Sequence, residues 1–342
     1  MLQHGRDRVA RALGLAGACV VGALGALGAP AAAQDAVRND SLLVTPAWVA
    51  ARLDSVAAGA RRGRAPDVVV VQVGSDRGVW RAGHVPGAAF VLAGEVSETV
   101  DSVPSELPPR GVIVRTFAAA GVHDRARVVL YGEAMPVARA ALALAAIGHT
   151  RVSLLDGGLA RWRAEGRPTA TNEERPHRRP LTVRPMPPGL VVDADWVRAR
   201  TADGTATILD VRTADEYAGA GPRRNDSEGH IPGALHLDWT ALLAPGGRDD
   251  LVFRPRTELD SLFRARGLAP GAGKPTVGVY CTVGQRAAVG WLAARLLGYD
   301  ARLYDGSYVD WVARRLPLES GGADSTRADS TGAARTPPRR RR

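Results

Sequence analysis

The chain has 342 residues, 45% apolar and 23% charged, a size and balance that suit one large or two ordinary globular domains. Its one long apolar run lies near the N-terminus, which excludes a multi-spanning membrane protein, and two cysteines exclude a disulfide scaffold or a cysteine-rich zinc module. The formal net charge is +10, and of the 45 basic residues only Lys274 is a lysine. These charges are dispersed among acids, which describes a solvated surface and argues against a nucleic-acid partner.

Residues 1–33 read as an export signal. Arg6, Arg8 and Arg11 precede an apolar stretch from Leu13 to Ala29, and Pro30-Ala31-Ala32-Ala33 supplies small residues for cleavage before Gln34. The expectation is an exported protein, periplasmic with secretion as the alternative, and with no stable membrane insertion after cleavage. Ala16-Gly17-Ala18-Cys19 faintly resembles a lipoprotein box, but the apolar run continues past the cysteine, so Cys19 is expected to leave with the signal. The mature chain then holds one thiol, Cys281.

From about residue 40 the chain repeats itself once. Thr45 with Pro46, and later Asp193, are helix-starting residues. Asp67–Val73 and Thr205–Val211 contain continuous β-branched apolar runs of the kind found in central parallel strands. Gly83-His84-Val85-Pro86-Gly87-Ala88 returns as Gly229-His230-Ile231-Pro232-Gly233-Ala234. Arg127–Tyr131 and Thr276–Tyr280 are second strands, followed by helical stretches Ala138–Ile147 and Ala287–Leu297. Short third strands follow at Arg151–Leu155 and Ala301–Tyr304. Asp156-Gly157-Gly158 with Trp162 returns as Asp305-Gly306-Ser307 with Trp311. The expectation is an α/β fold made of two tandem domains, 40–170 and 189–318, each an open, mostly parallel sheet with helices on both faces. Residues 171–188 form a proline-containing linker, and 319–342 a basic tail too poor in apolar residues to fold.

Ligands on such sheets bind beyond the carboxyl ends of the strands. Tyr280 is followed there by Cys281-Thr282-Val283-Gly284-Gln285-Arg286. A tight strand-loop-helix turn aims backbone N–H groups at one point, and the helix start and Arg286 add positive charge. That setting makes a cysteine acidic and able to hold an anion over its sulfur. The duplication is an internal control. Both His84 and His230 occur in a repeated turn, so both read as structural. In contrast, Gly132 stands where the second copy has Cys281, Val137 where it has Arg286, and Gln72 and Gly74 where it has Asp210 and Arg212. The first copy therefore lacks the reactive groups.

The Cys-x-x-Gly-x-Arg loop, Asp210-Val211-Arg212, the Gly-His-Ile-Pro-Gly turn and Tyr304–Ser307 together resemble the rhodanese family over about residues 40–318. The resemblance implies an inactive first domain and an active second one. Cys281 would take the outer sulfur of a small anionic donor, thiosulfate, and release sulfite. The resulting persulfide would be stabilised by the amides of Thr282, Val283, Gly284, Gln285 and Arg286. A nucleophilic acceptor, cyanide or a thiol, would then remove the sulfur. No metal or organic cofactor is implied. Asp210 would hold the loop by hydrogen bonds; Arg212 would do likewise or serve only as a surface ion-pair partner.

Two departures bear on the donor. Thr282-Val283 carries no charge where many thiosulfate enzymes have cations, and a substrate-anchoring arginine of the family falls at Glu216. The donor anion is then expected to rely on Arg286, with Arg223 or Arg224 in support. A compact anion pocket suits thiosulfate better than 3-mercaptopyruvate, the alternative donor. A cysteine phosphatase would have five residues between cysteine and arginine, not the four found here. A non-enzymatic persulfide carrier is the remaining alternative.

Overall fold

A computed structural model of the chain describes residues 42–60, 65–100, 103–173, 176, 178–220, 228–269 and 275–321. The leader-like segment with Cys19, the residues Arg223, Arg224 and Lys274, and tail residues 322–342 lie outside the described residues.

The repeated sequence builds the same sheet twice. Strand β1 (Leu43–Val44) leads into helix α1 (Pro46–Ala60), whose first turn is capped by Thr45, its hydroxyl accepting the Trp48 N–H at 3.1 Å. There follow β2 (Val68–Gly74), α2 (Arg77–Ala82), β3 (Ala89–Leu92), a hairpin of β4 (Glu98–Val100) and β5 (Val103–Glu106), and α3 (Arg110–Ala119). The first half closes with β6 (Arg127–Gly132), α4 (Ala134–Ala146), β7 (Val152–Leu155) and α5 (Gly158–Ala164). The second half starts with β8 (Val191–Val192) and α6 (Ala194–Asp203), capped by Asp193 through the Trp196 N–H at 2.8 Å. It continues through β9 (Thr207–Asp210), α7 (Ala214–Ala218), β10 (Leu235–His236), α8 (Arg256–Arg264) and β11 (Thr276–Tyr280). Helix α9 (Gln285–Leu297), β12 (Asp300–Tyr304) and α10 (Ser307–Ala313) complete it.

The sheet orders are β1-β7-β6-β2-β3 and β8-β12-β11-β9-β10, with every neighbouring pair parallel. The β-branched runs occupy the middle: β2 and β6 are buried along their whole length, as strands covered on both faces must be. One apolar cluster runs from Val69 in the first sheet to Leu303 in the second. It passes through α4 and α9, which pack on each other across the two halves. Their alanines, Ala138 and Ala141 on one and Ala287 and Ala288 on the other, are all buried there. Each sheet has its own smaller core on the opposite face, around Trp48 and Trp162 in one half and Tyr280 and Trp311 in the other.

Within the expected linker, Thr182 and Arg184 are tied to the first half. The Thr182 N–H and hydroxyl both donate to the Asp124 carboxylate, at 2.7 and 2.8 Å, and the Arg184 N–H donates to the Ile147 carbonyl. His84 and His230 are both buried, and each Nδ1 lies at hydrogen-bond distance from a carbonyl, of Trp80 and Tyr217 respectively. Each also pairs by its backbone with the chain leaving the last helix of its half, at Ala170 and Glu319. No helix among the described residues is long and apolar enough to cross a membrane.

Candidate active site

Cys281 is the first residue past β11 and is fully buried. Its environment is set by two clips. Its N–H donates to the Ser307 hydroxyl at 3.3 Å, and its carbonyl accepts the Tyr308 N–H at 3.0 Å. The Thr282 carbonyl accepts the Val309 N–H at 3.1 Å. The start of α10 therefore holds the base of the loop. Gly284 turns the chain into α9 with a left-handed φ of 82°, and a Cβ there would run into Asp305. Between these fixed ends, the N–H groups of Thr282, Val283, Gly284, Gln285 and Arg286 make no hydrogen bond to a described residue. Five successive donors and the start of a 13-residue helix follow directly after Cys281.

The charged groups are placed differently from the sequence expectation. Arg286 does not stand open to a donor. Its Nη1 and Nη2 fork onto the Glu216 carboxylate at 2.7 and 2.8 Å. The Thr282 hydroxyl completes the triangle, donating to Glu216 Oε1 at 3.0 Å. Glu216 is delivered there by the capping box of α7, in which it exchanges hydrogen bonds with Thr213. Burial works to raise the Glu216 pKa, but the Arg286 fork and the Thr213 bonds hold it well below the usual carboxylate range. Arg286 is likewise held above its ordinary value: burial opposes this, and Glu216 and the charge of a Cys281 thiolate outweigh burial.

Asp210 and Arg212 also stand differently from the sequence expectation. Arg212 is fully buried, so it is no surface ion-pair partner. The Asp210 carboxylate is directed at Arg212, whose Nη2 donates at 2.6 Å and whose own N–H donates at 2.9 Å, instead of at the loop amides. The Arg212 guanidinium lies 4.2 Å over the Tyr308 ring, and Tyr308 is the residue that clips the Cys281 carbonyl. The pair supports the loop from beneath, one contact removed.

The first half reaches into this site. The Gln285 side-chain amide donates to the Ser105 hydroxyl at 2.8 Å. Asp305, next to the loop, is forked by Arg139 from α4 and accepts the Leu107 N–H at 3.0 Å. Glu106 shares a hydrogen bond with Asp305, and burial together with that neighbour pushes its carboxyl up to about 8. The repetitive sequence offers no hint of this hairpin contact. In the sequence Ser307 is only a motif residue, yet its role is visible by comparison: its φ is 54°, where the first copy has Gly158 at 58°. A serine in the left-handed region costs roughly 1–2 kcal/mol, so the hydroxyl on the Cys281 N–H is the reason for it.

The corresponding loop of the first half is filled from within. At Gly132, φ is 113° and a Cβ would run into the Val73 carbonyl, so no cysteine fits that backbone. The N–H groups of Gly132, Leu159 and Ala160 instead donate to the carboxylate of Asp250, a residue of the second half. Among the described residues, no group of histidines, cysteines and acids is arranged to hold a metal ion.

Comparison with known proteins matches this chain twice to the rhodanese-like domain, over residues 58–165 and 193–314. It is 31% identical over 293 residues to the thiosulfate sulfurtransferase of Corynebacterium glutamicum, covering 82% of this chain and 90% of that one. It is 33% identical over 245 residues to the 3-mercaptopyruvate sulfurtransferase of Escherichia coli K12, covering 69% of this chain and 83% of that one. The crystal structure of an Escherichia coli 3-mercaptopyruvate sulfotransferase superimposes with a TM-score of 0.65 at 25% identity, over 78% of this chain and 99% of that one.

Proposed function

We propose, from the premise that the chain belongs to the rhodanese-like family and is a sulfurtransferase, that Cys281 carries sulfane sulfur as a persulfide, with thiosulfate as a donor. The Cys281 thiolate attacks the outer sulfur of thiosulfate; the S–S bond of the donor breaks and its electron pair leaves with sulfite. The enzyme is left as Cys281–S–S⁻. Cyanide or a thiolate then takes the terminal sulfur, leaving as thiocyanate or a persulfide and restoring the Cys281 thiolate. No net redox step or proton is needed in either half with anionic partners.

The observation that carries this reading is the set of five N–H groups, Thr282 to Arg286, that lack acceptors among the described residues. Successive free amides at a helix start suit the stabilisation of negative charge gathering on a terminal sulfur, which supports the reading. A keto acid donor needs a separate cation for its carboxylate, and the cation of the loop, Arg286, is already held by Glu216. Because Cys281 has no exposed surface, donor entry requires a shift of the groups above it. The leader-like sequence of residues 1–33 supports a site of action outside the cytoplasm as part of the same reading.

Intact-mass measurement after thiosulfate treatment tests the proposal. The expected gain is roughly 32 Da on Cys281, removed by cyanide, as a covalent intermediate requires. A mass unchanged by any sulfane donor refutes it. Ser307→Gly separates support of the nucleophile from support of the fold. Its thermal midpoint should stay level or rise, because glycine relaxes the backbone. Its turnover should fall about five- to tenfold, the equivalent of about one hydrogen bond.

A further inference from the structure

Each half of the molecule lays a segment of its own on the loop of the other. In the second half this segment, residues 248–251, lies between β10 and α8. The Arg248 carbonyl accepts the Ala134 N–H, the Leu251 N–H donates to the Gly132 carbonyl, and the Asp250 carboxylate takes the Gly132, Leu159 and Ala160 amides. The matching segment of the first half, between β3 and α3, is β5 with Leu107. The Ser105 hydroxyl accepts the Gln285 side-chain amide at 2.8 Å, Glu106 shares a hydrogen bond with Asp305, and the Leu107 N–H donates to the Asp305 carboxylate at 3.0 Å. Asp305 in turn lies against Gly284, since a Cβ on that glycine would run into its carboxylate. Three consecutive residues of the first half thus brace Gly284 and Gln285, where the loop becomes α9. None of these bonds is made to the backbone amides of Thr282–Arg286.

Two observations single out Ser105 within this contact. Among the described residues three other than glycine have a left-handed φ: Ser105 at 68°, Ser307 at 54° and Arg315 at 55°. Both serines bond to the Cys281 loop, one at each end, Ser307 at the Cys281 N–H and Ser105 at Gln285. That backbone conformation is unfavourable for serine and easy for glycine, and it persists where surrounding contacts enforce it. The duplication supplies the second observation. Pro136 stands in the first copy where the second has Gln285, so the copy without a thiol has no side-chain amide there to hold. We infer that Ser105 is a positioning residue for sulfur transfer: through its bond to Gln285, the first half fixes the start of α9 and with it the aim of the loop amides. This rests on the reading of Cys281 as the sulfur carrier and adds a residue that acts on it from the other half. Donors that stabilise developing charge work only when held in place, so a loosened helix start slows the charged step.

Single-turnover loading of Cys281 from thiosulfate, followed by intact mass, gives a limiting rate and a half-saturating concentration. Ser105→Gly removes the hydroxyl and suits the backbone, so its thermal midpoint should stay level or rise. Its limiting rate should fall about three- to tenfold, the equivalent of one neutral hydrogen bond, with the half-saturating concentration unchanged. Gln285→Ala should slow loading by the same factor. The double variant should be no slower than either single one, because both changes break one bond. A merely structural contact gives the opposite pattern: the midpoint drops and the folded protein loads at the wild-type rate, which overturns the inference. Effects that multiply in the double variant, or faster loading in either single one, overturn it too. Should Ser105→Gly fail to fold, Gln285→Ala decides alone, and a wild-type limiting rate there overturns the inference. A wild type that takes sulfur from no sulfane donor is a separate result, and it removes the sulfur-transfer reading along with this one.

Discussion

Cys281→Ser should lower sulfur transfer by at least about a thousandfold, as loss of a covalent nucleophile does. The substitution leaves the loop, its amides and the Ser307 and Tyr308 clips in place, since both clips are made to the backbone of residue 281. What it removes is an atom that attacks a sulfane sulfur readily and that forms a stable bond to it. A serine hydroxyl does neither. Rates of thiocyanate formation and the absence of a sulfur adduct by intact mass are the measurements. Because residue 281 is fully buried in the apolar cluster, the hydroxyl also carries a burial cost of about 1–3 kcal/mol. Cys281→Ala avoids that polar burial and should be equally inactive. Retained transfer in a folded alanine variant would place the chemistry elsewhere.

Arg139→Ala should destabilise the protein by about 3–5 kcal/mol, the usual result of stripping one partner from a buried ion pair. Arg139 and Asp305 are 1% and 3% exposed, and they join α4 of the first half to the residue that follows β12 in the second. Without the guanidinium, Asp305 keeps only the Leu107 N–H and its bond to Glu106. The loss should depend on pH. The carboxyl of Glu106 is raised by burial and by Asp305 to about 8, above its unfolded value of about 4.3. A raised folded pKa contributes stability that is full below the unfolded value and is lost as pH rises through about 8. Above that, two carboxylates face each other, so the destabilisation of Arg139→Ala should be larger at about pH 9 than at about pH 6. Chemical denaturation at the two pH values checks this. A variant as stable as the wild type would show that the helix packing of α4 on α9 holds the halves together unaided.

Much of this architecture was legible because the chain states it twice. Runs rich in β-branched residues mark the central strands to within about two residues, and the sequence alone puts the Cys281 loop at a strand end. Helices α4 and α9 begin earlier than read, at Ala134 and Gln285, because their first turns carry loop residues with no apolar period. The hairpin of β4 and β5 was not legible: Pro104 and Ser105 interrupt it, and its value lies in a contact with Gln285, 180 residues away. The pairing of Arg286 with Glu216 was half-legible. Thr213-x-x-Glu216 is a capping-box spacing and fixes where that glutamate starts. Where its carboxylate ends depends on two strands lying side by side, Tyr280 opposite Asp210, which a linear reading does not supply.

The Asp250 carboxylate in the first half has a consequence for how many reactive centres the duplicated protein presents. It is delivered by the same polypeptide, so its local concentration at the Gly132, Leu159 and Ala160 amides greatly exceeds that of any dissolved rival. A solute anion would have to evict a tethered one, and would gain no thiol by doing so. Titrations with small anions should therefore saturate at one equivalent per chain, however alike the two halves are in outline.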